Sequence, residues 1–461
     1  MYSILRYILL ILNIIIVKIT NILIPFLIKY EMINSLCYLI ILCLKELDEL
    51  KTNNKEKYRI LVLTKIGGID DLMGIPKNKN NDILFLECNR SIFKKIYFSI
   101  YKIKDKKELD TKVNEILKKK YINFLTKILI KICKIYKFDG IIGFNYNYFA
   151  ERDLQIACTK LKIPFLLLYK ESVITAAEKK YLQYTLKKSN DKFNGYKIAV
   201  YSNDAKKDFY QTNFFYKNKI EVVGCARLNK SFSYKSKKPK KKIVYYAIQD
   251  DRGLPHRYLR AFGNKFFNNL GYHKKYNPKY NWGDMHTKVL KILKKFAVNN
   301  PEIEIIIKVK IGYLTKSYSP GSTVNVKQYS NLPKNIKLQY HGAGHQLLET
   351  SKVVIGWNST ALLEAIAANR FILLPYFHSK KIKLIKDSEL ALRLKNKNYG
   401  YTEDDFYKKL DFFVKKDYKK NEIYNNKQAL KYYLNNADNK AGLRLYKFIR
   451  NSLKQKLNVK N

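Results

Sequence analysis

Short apolar bursts rich in Ile, Val and Leu recur along the chain in two series, and this recurrence constrains the fold more than any other feature of the sequence. The first series occupies residues 58–64, 82–87, 140–144, 164–169, 197–202 and 219–224, and the second occupies 242–248, 302–309, 335–340, 352–357 and 371–376. Helical patterns, such as 111–136 and 150–161, separate several of the bursts. Short buried strands that alternate with helices predict parallel sheets covered on both faces.

A polar, basic stretch separates the two series. Residues 231–242 read SFSYKSKKPKKK, which is typical of a linker because it contains Pro and no apolar periodicity. We therefore predict an α/β protein with two Rossmann-like domains that face a cleft. The predicted parts are an apolar helical segment at 1–50, a first Rossmann-like domain at 51–232, a linker at 233–242, a second Rossmann-like domain at 243–402 and a helical tail at 403–461.

The N-terminal 45 residues are strongly apolar, with runs at 7–17, 19–28 and 35–44 that charged residues interrupt. No run reaches the roughly 18 uncharged residues of a secure spanning helix. Three interpretations remain open from the sequence: a core helix of the first domain, an anchor that lies in the membrane interface, and a spanning helix. In the second, Arg6, Lys18 and Lys29 would reach lipid headgroups.

The formal charge is +51, from 89 Lys and Arg against 38 Asp and Glu, so the partner is expected to be anionic. Only 12 of the basic residues are Arg, and the lysines are scattered over every segment. A nucleic-acid surface favours Arg gathered into one stripe, so the pattern disfavours nucleic acid and leaves phosphates or anionic lipid.

The six cysteines fall mostly in apolar runs, without a CxxC pair or a His at metal-ligand spacing. They indicate buried thiols in a reducing compartment, and hence a cytoplasmic protein. Neither a metal nor a separate cofactor is expected.

The most informative stretch is 341–375, in which a strand, a polar turn, a helix and another strand follow one another. Asn358 or Ser359 can cap the helix, whose free N–H groups and dipole suit a phosphate. Thr360 and Glu364 are spaced i, i+4 and share a face. Glu364 is the only charge in an otherwise apolar helix, so burying it without a partner would be costly.

This pattern, Gly-Trp-Asn-Ser-Thr followed by Leu-Leu-Glu-Ala-Ile-Ala and a strand ending in Pro, resembles the donor half of GT-B glycosyltransferases, especially those of bacterial capsule and surface polysaccharide synthesis. Residues 219–231 resemble the Gly-x-Pro-Arg-x-Asp segment of these enzymes, with Ala226 in place of Pro and Asn229 in place of Asp. The resemblance implies that Ser359 and Thr360 hold the donor's phosphates and that Glu364 binds the ribose. It also implies a phosphate-facing role for Lys308.

Two further donor-binding candidates lie in predicted loops. Arg252 follows the first strand of the second domain, where it could meet a diphosphate. His341 begins the turn before the 352–357 strand, where it is a candidate contact to the donor's base or phosphate. The pair Asp250 and Asp251 would suit a metal, but an ordinary acidic turn is the favoured interpretation, in line with the general absence of a metal-binding Asp pair from GT-B folds.

An inverting transfer requires a general base, because the attacking hydroxyl must lose a proton. The carboxylates at predicted strand ends, in order of preference, are Glu171, Asp70 and Glu151. Lys170-Glu171 resembles the Lys-Glu pair that follows the corresponding strand in surface-polysaccharide enzymes.

The predicted function is therefore transfer of a sugar from a nucleotide-activated donor to a glycan or lipid-linked acceptor, in the cytoplasm or at the inner face of the plasma membrane. Alternatives are a sugar-nucleotide 2-epimerase, a polyol-phosphate transferase of the same fold, and a non-catalytic protein that binds anionic membranes or nucleic acid.

Overall fold

A computed structural model describes residues 2–47, 57–64, 68–76, 82–102, 115–146, 148–170, 173, 179, 182–184, 186–187, 192–248, 283–309, 329–340, 344–357, 359–376, 394, 398–416, 427–435 and 437–458. The chain forms two compact units. The first contains Met1–Lys170, Ser189–Arg227 and Lys440–Asn461, and the second contains Glu171–Lys188 and Leu228–Asn439.

The first unit is built on a seven-stranded sheet. Its strands are β1 Lys45–Glu46, β2 Tyr58–Leu63, β3 Ile83–Cys88, β4 Gly140–Gly143, β5 Phe165–Leu168, β6 Lys197–Val200 and β7 Ile220–Val222. They lie in the order β1-β3-β2-β4-β5-β6-β7, and every pair is parallel except β1 with β3. The order reverses between β2 and β4, since β3 lies on one side of β2 and all later strands lie on the other.

Helices accompany this sheet. They are α1 Tyr2–Lys29, α2 Ile33–Leu42, α3 Gly68–Leu72, α4 Ser91–Tyr101, α5 Glu115–Tyr136, α6 Phe149–Lys160 and α7 Asn203–Tyr210, with a 3-10 turn at Lys217–Lys219. Apolar residues of α4 and α5 recur at three- and four-residue spacing and are buried, which is why these segments are helical and pack together.

The second unit is built on a six-stranded sheet. Its strands are β8 Lys242–Tyr246, β9 Glu304–Lys308, β10 Ile336–Gln339, β11 Val353–Ile355, β12 Phe371–Pro375 and β13 Tyr399–Gly400. They are all parallel, in the order β10-β9-β8-β11-β12-β13. This is the 3-2-1-4-5-6 order of the doubly wound Rossmann fold.

The helices of the second unit are α8 Leu228–Ser233, α9 Gly283–Asn299, α10 Thr360–Ala367, α11 Glu403–Lys415 and α12 Lys427–Leu434, with 3-10 turns at Tyr234–Ser236 and Gly344–Glu349. Strands β8, β9, β11 and β12 have buried central residues, as expected for strands covered on both faces. The structure confirms the predicted fold class, two Rossmann-like parallel sheets, and all eleven apolar bursts are strands.

The last described helix, α13 Ala441–Asn458, belongs to the first unit. Its apolar face joins the core of the first sheet through Ala441, Leu445, Phe448, Ile449 and Leu453. At its polar edge the Arg450 guanidinium donates to both oxygens of Asp82, the residue just before β3. The chain therefore returns to complete the first unit after the second is finished.

The predicted linker at 233–242 lies within the second unit, where the Arg370 side chain holds it. Arg370 follows α10 in the sequence and is completely buried. Its guanidinium donates to the carbonyl oxygens of Tyr234 (3.0 Å) and Lys237 (3.3 Å). It also donates to the carbonyls of Leu348 (2.7 Å) and Glu349 (3.1 Å). One side chain thus fastens two backbone segments to the sheet.

Candidate functional site

The strand order of the second sheet reverses between β8 and β11, and the carboxyl ends of these two strands define the candidate site. Strand β8 lies beside β9 on one side and β11 on the other, with Val353 to Ile355 paired in register with Ile243 to Tyr245. In open α/β sheets, ligands bind at the carboxyl ends of the strands where the strand order reverses. In this unit that position lies between Tyr246 and Gly356.

Gly356 allows close packing at this position. A Cβ atom at Gly356 would lie 3.3 Å from Leu362 Cδ2 and 3.6 Å from Tyr246 Cβ. The backbone after β11 therefore runs close against both the first turn of α10 and the end of β8. A larger residue would push the helix N-terminus away from the sheet edge.

The N-terminus of α10 is capped by Ser359. The Ser359 backbone is extended, and its Oγ accepts a hydrogen bond from the Ala361 amide at 3.3 Å, so of the two predicted caps Ser359 has this role. Thr360 begins the helix and is half-exposed. The remaining N–H groups of the first turn, with the helix dipole, favour an anion there. Asn358 lies outside the described residues.

Glu364 lies one turn further along α10 and is 7% exposed. The pKa of the Tyr246 hydroxyl lies well above its usual value, mainly because the side chain is buried and also because of the negative charge of Glu364. The hydroxyl donates to the Gly344 carbonyl oxygen at 2.7 Å, which ties β8 to the 3-10 turn at 344–349. The carboxylate of Glu364 is therefore held close to the point where the strand order reverses.

Lys308 ends β9, the strand next to β8. Its backbone carbonyl accepts from the Ala247 amide at 3.0 Å, so it lies level with the end of β8. The side chain is half-buried, and this burial lowers the pKa of its amine. A partly desolvated ammonium gains more from an anionic ligand than an exposed one does.

The structure therefore brings Ser359, Thr360, Glu364 and Lys308 to one edge of one sheet. Of the other predicted donor contacts, Arg252 and His341 lie outside the described residues, as do Asp250 and Asp251. The sequence reasoning missed Tyr246, although a polar tyrosine at the last position of an apolar strand was the available signal.

An aromatic cluster borders the same edge and was also missed. Tyr376 follows β12, Tyr399 lies in β13 and Tyr401 follows β13. The centroids of their rings lie 5.3 to 6.0 Å apart. The Trp357 ring, in the turn after β11, lies 6.1 Å from the Tyr376 ring. Such a cluster offers flat apolar faces beside the polar groups of the site.

The first sheet also reverses its strand order, between β2 and β4, and two of the predicted general bases lie there. Asp70 is half-buried in the first turn of α3. This helix packs closely against the end of β4, because a Cβ atom at Gly68 would lie 2.3 Å from the ring of Phe144. Glu151 lies in the first turn of α6, and its Oε2 would lie 3.3 Å from a Cβ at Gly143, the last residue of β4.

Glu151 is nearly completely buried and forms an ion pair with Arg90, with 2.9 Å between Arg90 Nε and Glu151 Oε1. The Arg90 guanidinium also lies 3.5 Å over the ring of Tyr148. The carboxylate and the guanidinium are thus fixed together at the edge of the sheet. Glu171, the favoured base, lies outside the described residues, so its role stays a prediction.

Asp71, the neighbour of Asp70, forms hydrogen bonds that hold parts of the first unit together. It accepts hydrogen bonds from the Tyr201 hydroxyl and from the Arg227 backbone amide, the latter at 3.3 Å. Burial raises the pKa of the Asp71 carboxyl, and the positive charge of Arg227 opposes this. The side chain ties α3 to the segment after β7.

The cysteines are all free thiols, and all but Cys133 are buried. Within the described ranges, no group of three or more His, Cys, Asp or Glu side chains is placed to hold a metal ion.

No family description and no curated protein matches the sequence. Solved structures of similar fold include the UDP-GlcNAc 2-epimerase of Neisseria meningitidis bound to UDP-GlcNAc, at 12% identity and a TM-score of 0.43, with 85% of this chain and 100% of that chain covered. Another is the α,α-trehalose 6-phosphate synthase of Burkholderia multivorans, at 7% identity and a TM-score of 0.43, with coverage of 88% and 98%. A third is the UDP-N-acetylglucosamine 2-epimerase of Rickettsia bellii, at 11% identity and a TM-score of 0.43, with coverage of 87% and 98%. Likeness at this level concerns the fold alone.

Proposed function

We propose that this chain is a glycosyltransferase that uses a nucleotide-activated sugar and adds it to a surface-glycan acceptor, either a glycan or a lipid-linked one. The observation that carries the proposal is Glu364, a carboxylate buried beside Tyr246 at the point where the second sheet reverses its strand order. A ribose offers two adjacent hydroxyls that such a carboxylate can accept from, and the Ser359-capped helix end is placed for the attached phosphates.

In the proposed donor site, different residues bind different parts of the nucleotide. Glu364 accepts from the ribose hydroxyls, while the first-turn amides of α10, with the Thr360 hydroxyl, donate to the diphosphate. Lys308 supplies positive charge at the neighbouring strand end. Arg252 and His341, which lie in loops predicted from the sequence, remain proposed contacts. These donors would stabilise the negative charge that develops on the leaving nucleoside diphosphate.

The acceptor is assigned to the first unit. Glu171, Asp70 and Glu151 are the proposed general bases, which would take the proton from the attacking hydroxyl. No cofactor or metal is invoked: the nucleotide sugar is a substrate, and the protein is proposed to work in the cytoplasm. The sequence segment that resembles capsule and surface-polysaccharide enzymes supports this class of acceptor.

The test is nucleoside diphosphate binding by Glu364→Gln. The full-length protein is first screened with UDP, GDP, ADP, CDP and TDP by thermal shift, because a ligand that binds only the folded state raises the melting temperature. The best ligand is then measured by calorimetry. Each hydrogen bond to a charged acceptor contributes about 1.5–3 kcal/mol, so the variant should bind about ten- to a hundredfold more weakly.

Glu349→Gln is the matched control, since Glu349 is a half-exposed carboxylate of the same unit that forms an ion pair with Lys237. It should leave affinity unchanged. If Glu364→Gln lowers the melting temperature and leaves affinity intact, Glu364 is structural and the donor site is wrong. Formation of a 2-epimer from a nucleotide sugar without an acceptor would instead identify an epimerase.

A further inference from the structure

Helix α1 has two apolar faces, and within the described part of the chain only one of them is covered. Val17, Thr20, Ile24 and Leu27 are buried, and α1 packs along α4. At about 100° per residue, this stripe lies on the opposite side of the helix from a second stripe, which contains Ile15, Ile19, Ile22 and Phe26. The second stripe is open, with Ile22 73% exposed and Phe26 53% exposed.

Further exposed apolar groups lie on α1, in the turn after it and on α2, which contacts α1. Leu12, Ile14 and Leu23 of α1 are at least 36% exposed, as are Tyr30 and Met32 in the turn and Tyr38 and Leu42 of α2. Contiguous exposed apolar surface of this kind marks an interaction site, whereas single exposed apolar residues do not. We call the open stripe and these neighbours the apolar face.

Polar contacts fasten the inner side of α1 to the first unit. Asn21 Nδ2 donates to Ser91 Oγ at 2.9 Å, at the start of α4. Asn13 Nδ2 donates to the Cys43 carbonyl at 3.4 Å, and Thr20 Oγ1 lies 3.3 Å from Cys43 Sγ. The segment Leu12–Lys29 is long and apolar enough to cross a membrane, with mean hydropathy 1.8. Crossing would break these contacts, whereas lying flat on a surface keeps them.

Positive charge borders the apolar face. Lys18 and Lys29 are exposed on one flank of the open stripe, and Lys29 Nζ lies 5.2 Å from the Tyr30 ring centroid. Helix α5, which contacts α2, carries exposed Lys127 and Lys134. An apolar stripe with flanking lysines and exposed tyrosines has the composition of a helix that lies in a membrane interface.

We infer that the apolar face of α1 and α2 binds the surface of an anionic lipid bilayer, with α1 parallel to the membrane plane. A second copy of the chain is the competing occupant, but it would bring two lysine-flanked faces of a protein with charge +51 together. An anionic bilayer instead buries the apolar stripe and neutralises the flanking lysines. This inference does not depend on the donor site, so nucleotide binding and membrane binding are tested separately.

The experiment measures flotation of the full-length protein with preformed vesicles of phosphatidylcholine, with and without phosphatidylglycerol. The wild type should bind the phosphatidylglycerol vesicles more tightly, and added salt should weaken binding. Burying one large apolar side chain corresponds to about tenfold in affinity or more, so Ile22→Ser and Phe26→Ser together should weaken binding by about a hundredfold. Lys18→Gln and Lys29→Gln should each cost about fivefold on anionic vesicles.

Val298→Ser is the matched control, because Val298 is an aliphatic residue 68% exposed on α9 of the second unit. It should float as the wild type does. The changed residues of α1 are exposed, so an unchanged circular dichroism spectrum is expected for every variant. The inference is overturned if the wild type does not float, if Ile22→Ser with Phe26→Ser binds as the wild type does, or if these changes instead dissociate a dimer. It is also overturned if bound protein cannot exchange to a second set of vesicles, which would indicate a spanning helix.

Discussion

Replacing Arg370 by Met should be among the most destabilising single changes in the second unit. The guanidinium is completely buried and donates to four backbone carbonyls, those of Tyr234, Lys237, Leu348 and Glu349. Methionine has a similar length and no donor. The change therefore removes one hydrogen bond from each of four carbonyl oxygens, in a region water does not easily reach. Of these, the Tyr234 oxygen still accepts from the Lys237 amide at 3.1 Å.

The magnitude follows from these contacts. Each buried acceptor that loses its donor costs about 1–3 kcal/mol, so we expect Arg370→Met to cost about 3 kcal/mol or more. Arg370→Lys keeps the charge but replaces a planar fork with a single ammonium, which cannot reach two carbonyls on each of two segments. We expect it to lose more than half of the same amount.

Urea unfolding followed by circular dichroism gives the stability. Hydrogen exchange of peptides covering 228–240 gives a local measurement, because the two units need not unfold together. Exchange should accelerate in this peptide and stay unchanged in 197–210 of the first unit. Lys291→Met, at an exposed position of α9, controls for the loss of one charge. A loss below about 1 kcal/mol with unchanged exchange at 228–240 would refute the reasoning.

Two further predictions concern acid and metal. His286 is buried between the hydroxyls of Tyr245 and Tyr329, and burial lowers its pKa to about 4. As the pH falls, His286 is protonated in the unfolded chain before it is protonated in the folded protein. The free energy of unfolding should therefore decrease as the pH falls from about 6.5 towards 4. In urea unfolding, the difference in stability between the wild type and His286→Gln should become smaller over that range. A difference in stability between the two proteins that stays constant from pH 7 to about 4.5 would contradict this linkage. For the proposed transfer reaction, turnover measured by release of nucleoside diphosphate should survive EDTA, and loss of turnover that Mn²⁺ or Mg²⁺ restores would direct attention to Asp250 and Asp251.

The strand and helix order could be predicted because it depends on local patterns. Every apolar burst is a strand, and the helical patterns at 111–136 and 150–161 correspond to Glu115–Tyr136 and Phe149–Lys160. Strands β1 and β13 were missed because two residues are too short to show a period of two. The unit to which α13 belongs could not be predicted, since its spacing shows which face is apolar but not which sheet that face covers.

The same division holds at the candidate site. Ser359 and Glu364 could be singled out because capping and a lone charge in an apolar helix are local signals. The contacts of Tyr246 and Arg370 could not be predicted, because several of their partners are distant along the chain: Gly344 for Tyr246, and Tyr234 and Lys237 for Arg370. Burial of an arginine after a helix depends on which carbonyls the fold brings to it, and the sequence around Arg370 reads as an ordinary turn.

The position of α13 in the first unit has a consequence for how the protein is made. The ribosome must synthesise all of Leu228–Asn439 before residues 441–453 can fill their place in the first core. At 5–20 residues per second this takes roughly 10 to 40 s. During that interval the nascent first unit exposes the apolar surface that α13 later covers, while the second unit can complete its own sheet. Newly made chains should therefore depend on chaperones most strongly through their first unit, and translation that stops before residue 441 should release a chain whose second unit is the better folded of the two.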